Sequence, residues 1–156
     1  MFRTTTLFFV FILSISIHAQ ESEDHKKIKG VIDTFFKALH SGDSLLMNST
    51  LHKELKIQTT GTNKEGKKLL ITESKSKLLT NVANKNPDVR YFEKLLSYDI
   101  KIDGNLASVW TPYEFYVNGN FSHCGANSFQ FFNNNGSWEI IYLVDMRRRD
   151  GCTPSE

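Results

Sequence analysis

The chain has 156 residues, 40% of them hydrophobic and 12% aromatic, which suits one packed domain and is too apolar for a disordered segment. Lys and Arg number 19 against 17 Asp and Glu, so no global field draws nucleic acid or an acidic membrane to it. A two-domain enzyme does not fit a length close to the usual ~150 residues per domain.

Residues 1–19 read as a secretory signal peptide. Met1-Phe2-Arg3 is a short basic start, Leu7 to Ile17 an apolar and serine run, and Ile17-His18-Ala19 a small-residue cleavage site before Gln20. The run is shorter than the ~20 residues that span a bilayer, so no membrane anchor is expected after cleavage. The expectation is a secreted or periplasmic protein with a single domain over 20–156. Loss of Arg3 leaves 18 basic against 17 acidic residues, a mature charge of +1.

From Ser22 to His40, Ile28, Val31, Ile32, Phe35, Phe36 and Leu39 recur at steps of three and four, with lysines and Asp33 on the opposite arc, which predicts an amphipathic helix. Ser22 caps its start and Gly42 its end. Asp43 caps a short helix carrying Leu45, Leu46 and Met47. Leu55 to Thr60 reads as a strand, Asn63 to Gly66 as a turn and Leu69 to Thr72 as the return strand. A second helix covers Glu73 to Lys85 and stops at Asn86-Pro87. Beyond Tyr91, the turns Asp103-Gly104-Asn105, Asn118-Gly119 and Asn134-Asn135-Gly136 divide the chain into four long β runs. Helices followed by a meander predict an α+β layout.

Export places Cys124 and Cys152 where disulfides persist. The residues leave two readings open, a bridge between them or a buried thiol at 124 with a free tail.

The stretches Ala107-Ser-Val-Trp-Thr-Pro-Tyr-Glu-Phe-Tyr-Val-Asn-Gly119, Phe121-Ser-His-Cys-Gly-Ala-Asn-Ser-Phe129 and Gly136-Ser-Trp-Glu-Ile140 through Arg147-Arg148 resemble the nuclear-transport-factor-two-like superfamily, in its exported branch named for lumazine binding. The resemblance implies N-terminal helices packed in a strongly curved antiparallel sheet, a cystatin-like, SnoaL-like cone with one pocket, commonly paired as a homodimer. It implies no single activity, because the superfamily holds isomerases, dehydratases, polyketide cyclases, immunity proteins and binding modules.

No phosphate-binding glycine loop, no His-Glu-x-x-His, no Gly-x-Ser-x-Gly and no closed zinc spacing occurs, so neither a cofactor nor a metal is expected. With Asn118-Gly119 and Asn134-Asn135 as two-residue turns, Glu114 faces His123 and Tyr142 faces Asn127. One sheet face then gathers Tyr116, Phe121, Phe129, Phe131, Trp138, Ile140, Tyr142 and Val144 around Glu114, His123 and Asn127. The other carries Tyr113, Phe115, Cys124, Ala126, Ser128, Ile141, Leu143 and Asp145, a surface suited to a partner subunit. Pro112 leaves the side taken by Trp110 open.

His123 as a general base oriented by Glu114 is the catalytic reading, and a structural hydrogen bond between them is the other. Trp110, Tyr116, Asn127, Phe129 and Tyr142 are the candidate ligand contacts, with Arg148 at the pocket mouth. A small apolar or aromatic ligand suits this set. The expected function is small-molecule binding without demonstrated catalysis. A metal-free isomerase or cyclase and a closed interaction module are the alternatives.

Overall fold

The computed structural model describes residues 22–154, so the leader and its cleavage point lie outside the described residues. Helix α1 (Glu23–Ser41) begins at Ser22, whose hydroxyl oxygen accepts the His25 N–H at 3.2 Å, and closes on Gly42. Its predicted apolar stripe is the buried one, with Ile28, Ile32, Phe35, Phe36 and Ala38 inside. Asp43 accepts from the Leu46 N–H at 2.8 Å to cap α2 (Ser44–Asn48), which buries Met47. β1 (Leu51–Thr62) and β2 (Lys68–Glu73) pair as an antiparallel hairpin longer than predicted. α3 (Lys75–Ala83) starts after Glu73 because Ser74 takes the cap position and accepts from the Lys77 N–H.

The predicted run from Tyr91 to Asp103 is two strands, β3 (Tyr91–Leu95) and β4 (Asp99–Asp103), both paired to β5 (Leu106–Val117). The break falls opposite Pro112. Its carbonyl accepts the Leu96 N–H at 2.9 Å, and its missing N–H points to the same side, where the chain loops away from the ladder. β6 (Asn120–Asn134) and β7 (Ser137–Arg148) complete a seven-stranded sheet in the order β2-β1-β7-β6-β5-β3, with β4 beside β5. The sheet is antiparallel except for β1 and β7, which run parallel. That single parallel pair joins the hairpin before α3 to the end of the meander.

Three local features set which side chains face inward. Asn118 and Gly119 both adopt positive φ, 52° and 82°, and Tyr116 faces Phe121 as the two-residue turn predicts. One residue further, β6 bulges at Ser122. From there on Glu114 faces Cys124, and His123 faces Phe115. A bulge adds one residue to one strand and so reverses the faces of everything beyond it. Glu114 and His123 therefore lie on opposite faces, and the proposed pair does not form.

The second turn is Asn135-Gly136, with φ of 53° and 95°, instead of Asn134-Asn135. Both central residues of this turn need positive φ, and glycine adopts it without steric cost. The strands consequently bring Ile140 opposite Phe131, and Trp138 opposite Asn133. A second bulge, at Ile141, puts Tyr142 opposite Gln130, so Tyr142 leaves the Asn127 face.

The core lies between α1 and the inner face. Phe35 and Phe36 meet Phe129 edge-on, with ring centroids 6.0 and 6.2 Å apart. Trp138 donates from Nε1 to Asp24 Oδ1 at 3.0 Å and ties the start of α1 to β7. On the outer face, Cys124 and Cys152 are joined by a disulfide, with their Cα atoms 5.9 Å apart. The tail folds back so that Cys152 to Pro154 lie beside Glu114 and Arg148.

Candidate functional site

Four cross-strand rows line the inner face from core to rim. Val109, Phe129, Leu143 and Ile57 form an apolar row, and Thr111, Asn127, Asp145 and Thr59 form a polar row directly above it. Leu95, Tyr113, Gly125 and Arg147 come next, then Glu93, Phe115 and His123. Over these rows Phe35, Phe36 and Leu39 of α1, with Leu78 of α3, enclose a cavity of about 360 Å³. That is room for roughly twelve waters at their ~30 Å³ share of liquid volume. Glu73, at the end of β2, reaches the rim.

The polar row is hydrogen-bonded along its length. Asn127 donates from Nδ2 to Glu93 Oε1 at 2.7 Å, the Thr59 hydroxyl donates to Asp145 Oδ1 at 2.5 Å, and Arg147 Nε donates to Asp145 Oδ2 at 2.6 Å. Tyr113 crosses Gly125 and donates its hydroxyl to the Met146 carbonyl at 3.3 Å. Glycine is required there, because a Cβ on residue 125 would sit 1.8 Å from that carbonyl oxygen and 2.7 Å from the tyrosine hydroxyl. His123 stacks on Phe115 at 4.8 Å and meets Tyr113 edge-on at 5.8 Å.

Burial sets the protonation states. It raises the Glu93 carboxyl to about 7, with Asp145 pushing the same way and the Asn127 hydrogen bond and Arg147 opposing. Burial also lowers the His123 pKa, assisted by Arg147 and Arg149 and opposed by Asp145. Near neutral pH the cavity thus presents a neutral imidazole, a carboxyl able to give or take a proton, and an ion pair. Among the described residues no three of His, Cys, Asp or Glu are grouped to hold a metal ion.

Of the residues proposed from sequence, His123 and Asn127 line this cavity. Phe129 is fully buried beneath α1 and forms part of the floor's support, out of reach of a ligand. Tyr116, Tyr142 and Arg148 lie on the outer face beyond the bulges, opposite Phe121, Gln130 and Cys124. Trp110, opposite Ser128, is 53% exposed there. Glu114 is 2% exposed on that face, where it accepts from the Tyr116 hydroxyl at 2.7 Å and pairs with Lys94 at 3.7 Å.

The cavity instead takes Tyr113, Phe115, Leu143 and Asp145, assigned from sequence to a partner surface, together with Glu93 and Arg147. Alternation in Tyr91-Phe92-Glu93-Lys94-Leu95 carried a signal for Glu93, a charged residue between two apolar ones on one strand face. Asp145 and Arg147, two apart on one strand, carried another.

No protein-family model matches the chain, and no curated protein matches it. Solved structures do. A cystatin-like-fold protein of unknown function from Nostoc punctiforme aligns with TM-score 0.63 at 14% identity, over 83% of this chain and 95% of its own. An NTF2-like protein from Cytophaga hutchinsonii aligns with TM-score 0.64 at 12% identity, over 81% and 100%. A third, an NTF2-like protein of unknown function from Shewanella baltica, gives 0.58 at 15% over 82% and 96%. The chain has the nuclear-transport-factor-two-like fold, the cystatin-like cone of α1, α2 and α3 against a curved sheet.

Proposed function

We propose that this chain is an exported domain that binds a small molecule in the cone, with the ligand's apolar body against aromatic side chains and its polar end at the Asn127 row. The observation that carries this reading is the cavity itself. It is open, bounded by Phe35, Phe36, Tyr91 and Phe115, and floored by a few converging polar groups, which is how small-molecule sites are built. A closed interaction module would fill that space with side chains. Native mass spectrometry of protein taken from its own host tests the reading. A co-purifying species below the mass of a short peptide supports it, and an empty protein that also ignores a broad ligand screen counts against it.

One observation favours a second reading, metal-free proton transfer in an isomerase or cyclase. Glu93, near pH 7 in its titration, and neutral His123 share one cavity, and groups of that kind serve as general acid and base. Exchange of a carbon-bound proton into deuterated solvent, lost in His123→Ala or Glu93→Gln, is the measurement that would move the protein into that class.

Export and pairing belong to the same proposal. The intact mass of secreted protein should begin at Gln20. A second copy of the chain is assigned to the outer sheet face, where Phe92 and Trp110 are about half exposed. Light scattering should report a dimer that Trp110→Glu dissociates.

A further inference from the structure

The charges around the cavity do not balance. Arg147 and Asp145 neutralise each other, and the Arg147 side chain is 60% exposed at the mouth. Glu93 has a neutral amide on Oε1, and Glu73 accepts from the neutral Asn81 amide at 3.1 Å. Neither carboxylate has a cation bonded to it among the described residues.

Each remaining group that packs around Glu93 leaves that deficit standing. His40 of α1 accepts the Glu93 backbone N–H on Nε2 at 2.8 Å, which requires that nitrogen to be unprotonated. His123 of β6 is held neutral by burial, and Tyr113 of β5 is held as the phenol by burial and the nearby carboxylates. Lys94 turns to the outer face and Glu114. Lys85, following α3, is bonded to the Val89 carbonyl at 2.9 Å and lies over the Tyr91 ring.

We propose that the ligand of this cavity is a small monocationic amine, its ammonium group on Glu93 and Asp145 and its apolar body between Phe35, Phe36 and Phe115. The inference rests on the small-molecule reading above and narrows it. An ammonium brings three donors and no acceptor, and here it meets two carboxylates that line one cavity, Glu93 and Asp145, together with aromatic side chains of the kind that attract cations. An anion would face two uncompensated carboxylates, Glu93 and Glu73, and a guanidinium already engaged by Asp145. A neutral ligand would leave the deficit uncorrected.

Binding of a cation would hold Glu93 ionised, so the amine should expel its proton. With the carboxyl at about 7 in the unliganded protein, the ionised fraction rises from about a tenth at pH 6 to about nine-tenths at pH 8. Affinity for a cation should rise by about ten-fold over that span, with proton release.

Three probes of matched shape separate the charge classes on the full chain: 2-phenylethylamine, 2-phenylethanol and 3-phenylpropanoate. Calorimetry at pH 6 and pH 8, in buffers of different ionisation enthalpy, reads affinity and protons, and the NMR signal of the Asn127 side-chain amide reports location. The expected result is an amine bound at least ten-fold tighter than the alcohol at pH 8. That gap should narrow by about ten-fold at pH 6, and Glu93→Gln, checked for native circular dichroism, should remove it without weakening the alcohol. An alcohol or carboxylate that moves the Asn127 signal and binds as tightly as the amine at pH 8 overturns the amine inference and leaves the cavity reading intact. An Asn127 signal unmoved by all three probes overturns both. The wild-type pH dependence decides the question even where the variant does not fold.

Discussion

Each face of the sheet draws a glutamate away from bulk water, and the two are treated differently. On the outer face Glu114 is sealed under the disulfide-bound tail with a tyrosine hydroxyl and a lysine ammonium for partners. On the inner face Glu93 meets an open cavity and is bonded to a neutral amide, and its affinity for protons rises to about 7. Both are desolvated, Glu114 fully and Glu93 in part. The partner decides whether a buried carboxyl is a fixed part of the structure or a group left to respond to a ligand.

The largest effect expected from breaking either face comes where both depend on one residue. Gly125→Ala drives a methyl group into the Met146 carbonyl and the Tyr113 ring, so it separates β6 from β7 beneath the cavity. Its cost is on the order of 4 kcal/mol or more, at the upper end for a point substitution. Denaturant melts should show little or no folded protein.

Removing the bridge with Cys124→Ser and Cys152→Ser attacks the outer face alone. The cysteines are 28 residues apart, and a loop of that length is worth ~3.5 kcal/mol in the chain-entropy model. The midpoint of a urea melt should fall accordingly while ligand affinity in the cavity changes by less than about two-fold.

Glu93 gives the inner face a signature in pH. The carboxyl titrates at 4.5 in the reference state and about 7 in the folded protein, so folding takes up a proton between those values. The Glu93 contribution to stability should therefore fall as pH rises from about 4.5 to about 7, by up to ~3 kcal/mol, against the rise that His40 and His123 contribute at about pH 6 because burial lowers their pKa. Glu93→Gln should abolish that decline and melt later than the parent at pH 8. A difference between parent and Glu93→Gln that fails to fall through this window would refute the assignment.

Glu114→Ala should cost ~2 kcal/mol by leaving the Tyr116 hydroxyl and Lys94 without their buried partner, and should leave the cavity's ligand affinity unchanged. His123→Ala is the smallest, ~1 kcal/mol or less, because the ring is part-buried at the rim and stacks on a single phenylalanine. Its effect should appear in binding or turnover instead. If these two variants exchange their effects, the division between structural outer face and functional inner face is wrong.

Much of the fold was legible because it rests on local chemistry. The three-and-four spacing from Ile28 to Leu39, Ser22 and Asp43 at the caps, and Asn118-Gly119 between β runs each prescribe a conformation within a few residues. The second hairpin is legible too, because Asn135-Gly136 carries the asparagine-glycine preference of a two-residue turn and Asn134-Asn135 does not. The cysteine pairing is not legible from local spacing, because Cys152 lies beyond β7 and only the return of the tail over Glu114 brings it within reach.

The inner face was determined one level higher. Alternation and the first turn placed Tyr116 opposite Phe121, and they hold as far as the bulge at Ser122. Because of it and the bulge at Ile141, the face that carries Glu114, Tyr116, Tyr142 and Arg148 is the outer one, while Tyr113, Phe115, Asp145 and Arg147 are inside. Neither bulge has a local residue code of the kind that marks a turn. They let the sheet bend around α1, so they answer to the packing of Phe35 and Phe36 on Phe129. The sequence by itself determined the helices, the strands apart from the break between β3 and β4, and the first hairpin's register as far as Ser122, because hydrogen-bonded turns and caps are short-range. Tertiary structure decided which carboxylate meets the cavity, because a one-residue shift in a curved sheet reverses every side chain beyond it.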